Sequence, residues 1–418
     1  MQPTATAPRA GPSMVVLLAC LTMIGPFTVD TPFPAFVAIA GEFGVDALVM
    51  QQTVSIYLLA VGLMSLFHGP VSDAVGRKPV ILTGMLVFVA ASVLCALAPS
   101  MGWLLAGRVV QGLSVGAGMI VGRTVVRDVI DGEAAQRAMS QISMIFGLAP
   151  AAAPIVGGWL VGVGSWRAIF WFLAGFGLLL VLLTAVMLRE THPPARRTPF
   201  RPGPLLHALL DAARDPDIGR LAAASALNFG ALFTYISAAP AIVMDLLGLG
   251  PGDFGALFVP SVLAMVFGSY LTGRLAGRIS AGRFLTLGFA VATVGGLAHL
   301  ALLAGFGGPR LFSAIVGQSL TAFGIAVVFP ILTLALLDRR PRNRGTVSSL
   351  QSVTNMLLNA LVAGLIVPLV AHSMTLLALI ALCLTLGAWA FWVWQDRVGS
   401  GTLAVPGDPE TLEPTDRM

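Results

Sequence analysis

Two ionisable side chains stand where no neighbour in sequence could pair or solvate them. Asp30 sits inside the apolar stretch "IGPFTVDTPFPAF" (24–36), followed by Pro32 and Pro34, and Arg108 sits inside "LLAGRVVQGLSVGAG" (104–118). An ionisable group near a bilayer centre costs about 3 kcal/mol even on lenient insertion scales, so it persists where it faces a cavity or a partner. Desolvation and a cation within ~4–6 Å act in opposite directions on the protonation of such an acid. A small displacement could then load or release a proton, and a cationic ligand could take the proton's place. The same two residues could equally form a structural clamp, with the prolines only bending the chain, and a buried ion pair is by itself weak evidence of stability.

The elements that must position these residues are membrane spans. The chain has 418 residues, 57% of them hydrophobic and only 10% charged, against roughly 45–50% apolar and 25% charged in soluble domains. Its mean hydropathy is +0.90. Cutting at charged or Gly/Pro-bearing breaks gives twelve apolar runs of about 20 residues, the length a helix needs to cross roughly 30 Å of hydrocarbon. Their cores are 14–40, 50–70, 79–98, 103–124, 139–163, 168–188, 219–244, 254–274, 283–304, 311–336, 347–371 and 374–394. Placing both termini on one side puts all but four of the 24 Lys and Arg residues there: Arg108 and Arg123 lie within spans, and only Arg167 and Arg310 fall opposite. The positive-inside rule makes that side cytoplasmic. Arg123 lies near the inner end of the fourth span, from which its long side chain can snorkel to the surface. Counted from Met14, Asp30 lies about 24 Å along its helix, and Arg108 lies about 7 Å below Trp103 at the outer start of the fourth span. Both fall in the outer part of the membrane, close enough in depth to pair.

The longest polar interruption, "RETHPPARRTPFRPGPLLHALLDAARDPD" (189–217), divides six spans from six. "YLTGRLAGR" (270–278) echoes "GPVSDAVGR" (69–77), and "GTVSSLQS" (345–352) echoes "RAMSQIS" (137–143). The spacing suggests two parallel repeats with a binding site between them. The expected organisation is a tail over 1–13, a six-helix bundle over 14–190, a linker loop over 191–217, a second bundle over 218–396 and a tail over 397–418. No acid is buried in the second half, where Arg274 stands at the position matching Asp73, so coupling chemistry is expected in the first bundle.

Several classes are excluded or disfavoured. The net charge of +5 sits in short loops between spans, where it orients a membrane protein, so no nucleic-acid partner is implied. Cys20, Cys95 and Cys383 are odd in number and lie in apolar runs, so they read as packing residues. "LLAC" (17–20) resembles a lipoprotein cleavage box, but no basic cluster precedes it. "GLSVG" (112–116) matches the G-x-S-x-G nucleophile pattern, and an intramembrane serine hydrolase would need His299 as base. The pattern lies inside a helical span, not on a strand-to-helix turn, and small residues for helix packing explain Gly112, Ser114 and Gly116 better. No P-loop, His/Cys metal cluster or cofactor motif occurs. The expected cofactor complement is none, and the driving force would be an ion gradient.

The loop motifs are more specific. "GPVSDAVGRKPVIL" (69–82) joins the second and third spans: Gly69 permits close helix approach, Gly76 suits a turn with positive φ, and Arg77 with Lys78 anchors the loop at the membrane surface. This pattern, Gly69, Asp73, Gly76, Arg77 and Lys78, resembles the signature loop of the major facilitator superfamily. The resemblance implies a lock on the inward-closed contacts between halves, with Asp73 near the N-terminus of a neighbouring helix, the eleventh span by family analogy, where the helix dipole favours an anion. Arg108, Gln111 and Gly112 match the family's fourth-span motif. "GLAPAAAPIVGGWL" (147–160) is similar to the fifth-span motif of antiporter branches, through Gly147, Pro150, Pro154, Gly157 and Gly158, with Ala149-Pro150 in place of the usual Gly-Pro. Together with "WRAIFW" (166–171), "RD" (127–128), "RET" (189–191) and "DTPFPAF" (30–36), the chain resembles the bicyclomycin/chloramphenicol-resistance (Bcr/CflA) branch of drug:proton antiporters over nearly its whole length. The first-span proline spacing departs from the branch's common Asp-x-Tyr-Leu-Pro-x-x-Pro.

The resemblance implies an all-α membrane protein of twelve transmembrane helices in two six-helix bundles related by pseudo-twofold symmetry. It implies a proton-coupled exporter of lipophilic drug-like compounds, working as a monomer in a bacterial inner membrane with both termini cytoplasmic. Asp30 and Arg108 are the expected coupling residues, and the Pro150/Pro154 region is an expected bend. Embedded polar and aromatic groups, Tyr57, Gln111, Gln141, Phe146, Asn228, Phe233, Tyr235 and Asn355, are substrate-cavity candidates; each is equally a candidate helix-to-helix contact. An exporter or facilitator of a small metabolite, such as a sugar or nucleoside, would share the fold.

Overall fold

The computed structural model describes residues 12–130, 132–275, 278–340 and 343–398. The expected tails, and with them Arg9, Arg342 and Arg417, fall outside the described residues, except for positions 12–13 and 397–398. Among the described residues the chain is helical, with no β-strand. The helices are α1 (Pro12–Asp30), α2 (Phe36–Phe43), α3 (Ala47–Val75), α4 (Arg77–Ala96), α5 (Met101–Val129), α6 (Gly132–Val163), α7 (Arg167–Met187), α8 (Pro202–Ala213), α9 (Pro216–Ser237), α10 (Phe254–Leu275), α11 (Ala281–Phe306), α12 (Leu311–Asp338), α13 (Arg344–Leu361), α14 (Val367–Val370) and α15 (Met374–Val398). All backbone polar groups in a bilayer must be satisfied within the protein, which is why a chain this apolar folds as long helices.

Eleven of the expected twelve spans are long and apolar enough to cross a membrane. The exception is the seventh. Its helix, α9, carries Asp217 and Arg220 in its first turns and Asn228 in its middle, and beyond Ser237 it passes into a π-helical segment, Ala241–Leu246, behind Pro240. The first span is also not the single helix expected over 14–40. Pro32 and Pro34 cannot donate to the carbonyls four residues before them, so α1 stops at Asp30, a 3-10 turn over Phe33–Ala35 follows, and α2 resumes at Phe36. Gly44, at φ 65, closes α2, and the Asp46 side chain accepts from Val49 N at 2.8 Å to start α3.

Two compact units emerge, and they cut across the expected bundle boundaries. The first comprises Met1–Pro202 with Ile236–Phe258 and Asn359–Leu369. Within it α5 packs on α3, α4 and α1, while α6 packs on α1. The segments 236–258 and 359–369 join it because polar side chains of α3 bond their backbone. Gln51 Nε2 donates to Ser237 O at 2.9 Å, Gln52 Nε2 to Gly364 O at 2.9 Å, and Ser55 Oγ to Ala360 O at 2.9 Å. Gly364 lies in a π-helical turn (Val362–Ile366). Four residues on, where a continuing α-helix would supply its donor, stands Pro368 without an N–H, and Gln52 donates to the Gly364 carbonyl.

The second unit comprises Gly203–Tyr235, Val259–Leu358 and Val370–Met418. Its core gathers Ile218, Leu221, Leu285, Phe289, Val328, Leu332 and Trp392. At one end α8 and the start of α9 hold the α12–α13 turn through ion pairs: Arg340 with Asp211 and, at 3.4 Å, with Asp215, and Arg339 with Asp217 at 3.1 Å. The Asp211 carboxylate bonded to Arg340 raises the guanidinium's already high affinity for its proton.

Candidate functional site

The kink in α1 builds the site. Pro32 removes the N–H that would have met the Thr28 carbonyl, and Arg108 of α5 fills the gap. Its Nη1 donates to Thr28 O at 3.1 Å and to Gln111 Oε1 at 2.9 Å, and its Nε donates to Thr53 O at 3.1 Å. The guanidinium carbon lies 4.4 Å from the centre of the Tyr57 ring, a cation–π contact. Gln111 passes the bond on, its Nε2 donating to Ser92 Oγ at 2.8 Å, and Tyr57 Oη donates to Gly25 O at 3.1 Å. Arg108 is 1% exposed, and its charge is compensated by backbone carbonyls and a π face.

This arrangement corrects the expected Asp30–Arg108 ion pair: among the described residues no hydrogen bond or ion pair joins them. The bend that the prolines impose creates a carbonyl acceptor for the guanidinium, whose five donors serve several acceptors at once. Asp30 is left 3% exposed with no hydrogen bond or ion pair among the described residues. Tyr57 and Gln111, expected in a cavity wall, are instead buried parts of the Arg108 network.

The fifth-span motif divides. A Cβ built on Gly157 would lie 2.0 Å from Thr31 O and one on Gly158 2.1 Å from Pro251 O, so both residues admit backbone that any side chain would exclude. Pro150 and Pro154 lie inside a continuous α6. Among the described residues nothing stands within 4 Å of the Gly147 Cβ position, nor of Gly69.

The signature loop is tied down by groups the sequence reading did not rank. Gly76 has φ 116, as a turn needing glycine should. Arg77 bonds Asp73 at 2.5 Å, Asp128 at 3.0 Å and Ser72 Oγ at 2.6 Å. The Asp73 carboxylate pairs within its own loop, through Arg77. The anion at a helix N-terminus here is Glu190, whose carboxylate accepts from Arg77 N at 3.0 Å and Lys78 N at 3.1 Å at the start of α4. Lys78 Nζ donates to Ala185 O at 2.7 Å. The first amides of α4 have no intrahelical acceptor, and that is the physical signal for a carboxylate cap from "RET".

The remaining candidates scatter. Arg123 lies over the Phe146 ring at 4.9 Å, and Gln141 is exposed. In the second unit Tyr235 Oη is 3.0 Å from His299 Nδ1, Phe233 is buried, and Asn228 and Asn355 are buried with amide atoms that lack a partner among the described residues. Ser114 lies within α5 and donates to Gln111 O at 3.0 Å. Its flanking glycines seat the Tyr57 backbone, 2.5 Å from a Gly112 Cβ, and the His68 ring, 2.7 Å from a Gly116 Cβ. "GLSVG" is a packing surface, not a nucleophile turn.

A span-rich helical fold, one buried carboxyl among the described residues and a tied inter-span loop are features of a membrane transporter. The family model of the Major Facilitator Superfamily matches residues 18–363, and the chain belongs to that family. Among curated proteins it is 29% identical over 393 residues to an uncharacterized MFS-type transporter, YdgK, of Bacillus subtilis strain 168, covering 93% of this chain and 97% of that one. It is 27% identical over 361 residues to a bicyclomycin resistance protein homolog of Haemophilus influenzae, covering 84% and 88%. It is 28% identical over 318 residues to the multidrug resistance protein MdtL of Salmonella heidelberg, covering 73% and 77%. Among solved structures, a peptide transporter superposes with TM-score 0.76 at 16% identity, covering 94% of this chain and 97% of that one. A D-xylose–proton symporter superposes with TM-score 0.71 at 13% identity, covering 91% and 97%. The protein is a multi-pass membrane transporter of the major facilitator fold and not an enzyme.

Proposed function

We propose that this protein is a proton-coupled antiporter that exports lipophilic drug-like compounds across the bacterial inner membrane by alternating access, as a monomer with both termini cytoplasmic. The observation that carries the reading is Asp30: a buried carboxyl in a membrane span with no ion-pair partner among the described residues. Such a group is held neutral by a proton or balanced by a cationic ligand, and mutually exclusive occupancy by the two is sufficient for antiport. Arg108 acts as a positioning residue. By gripping Thr28 O it fixes the backbone two residues before Asp30, so movement of α5 is felt at the carboxyl. Glu190 and the Asp73–Arg77–Asp128 cluster hold the signature loop as a gate element, and the Pro150/Pro154 segment, helical in this structure, is the proposed place for α6 to bend. Asn228, Phe233 and Asn355 are the proposed substrate contacts, since their unpaired amides and aromatic surface suit a polar-tipped lipophilic ligand. The names of the bicyclomycin and multidrug resistance relatives support the substrate class.

The test is pH-gradient dissipation in proteoliposomes on adding a panel of lipophilic drugs, for the unmodified protein and folded Asp30→Asn. Drug-triggered proton movement that disappears in the variant is the expected result. Equal flux in both removes Asp30 from the mechanism, and no flux with any drug favours the exporter or facilitator of a small metabolite.

A further inference from the structure

One surface feature is unused by the transport reading. A groove of about 410 Å³ opens where the start of α11 meets the end of α15, lined by Gly282, Arg283, Thr286, Leu287, Trp392 and Asp396. Arg283 and Asp396 line the same groove with opposite charges, are both exposed, and form no ion pair or hydrogen bond with any described residue. Each also stands at the unfavourable end of its helix: Arg283 is in the first turn of α11, and Asp396 is in the last turn of α15. A cation at a helix N-terminus and an anion at a C-terminus oppose the macrodipole, so neither charge serves its own helix. The Ser280 side chain makes no cap to the first α11 amides. Trp392, 6% exposed and stacked on Phe289 at 6.2 Å, forms a fixed wall, and its indole N–H has no acceptor among the described residues. Leu287, 54% exposed, gives the groove an apolar side.

We propose that this groove binds the headgroup of a zwitterionic phospholipid, a phosphoethanolamine, at the membrane boundary on the side of the chain termini. The phosphate would meet Arg283 and the free amides at the start of α11, where helix geometry favours an anion. The primary ammonium would donate to Asp396, where the α15 carbonyls add negative character, and an acyl chain would run along Leu287. The separated, unpaired charges select a headgroup carrying both signs over an anionic one. A primary ammonium is preferred over a trimethylated one because only the former donates hydrogen bonds to the carboxylate. The assignment needs only the membrane placement of these helices and is independent of what is transported.

The experiment is native mass spectrometry of the purified full chain released from nanodiscs containing equal phosphatidylethanolamine, phosphatidylcholine and phosphatidylglycerol. The unmodified protein is compared with Arg283→Gln, Asp396→Asn and, as an exposed control outside the groove lining, Arg189→Gln. Phosphatidylethanolamine adducts should dominate, and each groove variant should lower them about tenfold, the effect of losing one charge-assisted bond, with Arg189→Gln unchanged. Thermal unfolding in lipid-free detergent should be undiminished in the two groove variants, because each removes a charge its helix end disfavours, while stabilisation by added phosphatidylethanolamine should disappear. Equal retention of the three lipids overturns the proposal. So does binding of phosphatidylglycerol that depends on Arg283 but not Asp396, or displacement of the lipid by free phosphoethanolamine at equal concentration.

Discussion

Replacing Arg108 by Met keeps the length of the stem and removes every donor. Of the three acceptors it serves, Thr53 O keeps the helical N–H of Tyr57 and Gln111 Oε1 can turn to another donor. Thr28 O, whose i+4 residue is Pro32, has no other donor in its helix. A buried acceptor left bare costs about 1–3 kcal/mol, and loss of the contact over Tyr57 adds about 0.5–2 kcal/mol. Arg108→Met should therefore destabilise by about 1.5–5 kcal/mol. The decisive variant is Pro32→Ala in that background. Residue 32 already has helix-like angles, φ −74 and ψ −13, so an alanine there can present its N–H to Thr28 O. The double mutant should recover about 1–2 kcal/mol relative to the sum of the single changes, measured by reversible unfolding in mixed micelles. Independent sites add within about 0.5 kcal/mol. Additivity of the two substitutions would show that Arg108 is not there to serve the carbonyl that Pro32 frees.

Glu190→Ala removes the carboxylate that caps the first amides of α4 and should cost about 0.5–2 kcal/mol; hydrogen exchange at Arg77 and Lys78 should accelerate about tenfold, and unchanged exchange refutes the cap. The two ends of the fifth-span motif should respond oppositely to alanine: Gly157→Ala drives a methyl into Thr31 O and should cost about 1–3 kcal/mol or more as overpacking, whereas Gly147→Ala meets open space and should be neutral or slightly stabilising in its helix. Thermal stability of the two purified variants decides, and equal losses would sink the distinction.

How much of this was legible in the sequence differs by level. Composition and 20-residue apolar periodicity sufficed for a polytopic helical protein, because the bilayer leaves a chain so few alternatives. The seventh span reads as an apolar run over 219–244, but Asp217, Arg220 and Asn228 lower the average hydropathy of its helix, so it falls short where the other eleven do not. Asp30 stood out as an acid without local partners, and the reading of its burial holds. The pairing with Arg108 did not follow, because depth along two helices fixes height but not azimuth, and because the competing acceptor was a backbone carbonyl that no side-chain pattern displays. Glu190 was missed for a related reason: what it binds are main-chain amides. Gly69 and Gly157 look alike in sequence, and only the neighbouring backbone tells them apart.

The Gln52–Gly364 bond repeats the relation between Arg108 and Thr28: a proline, Pro368 or Pro32, strips a carbonyl of its donor, and a side chain from another helix supplies one. In evolutionary terms each proline and its distant donor form one character. Loss of the donor at 108 or 52 bares a carbonyl while the proline remains, and reversal of the proline removes only that one demand, since Arg108 still serves Thr53 O and Gln111 and Gln52 still serves Leu48 O. The order in which such substitutions accumulate is thus set by main-chain chemistry, and helix bends in this fold become features that a single mutation can neither install nor erase without cost.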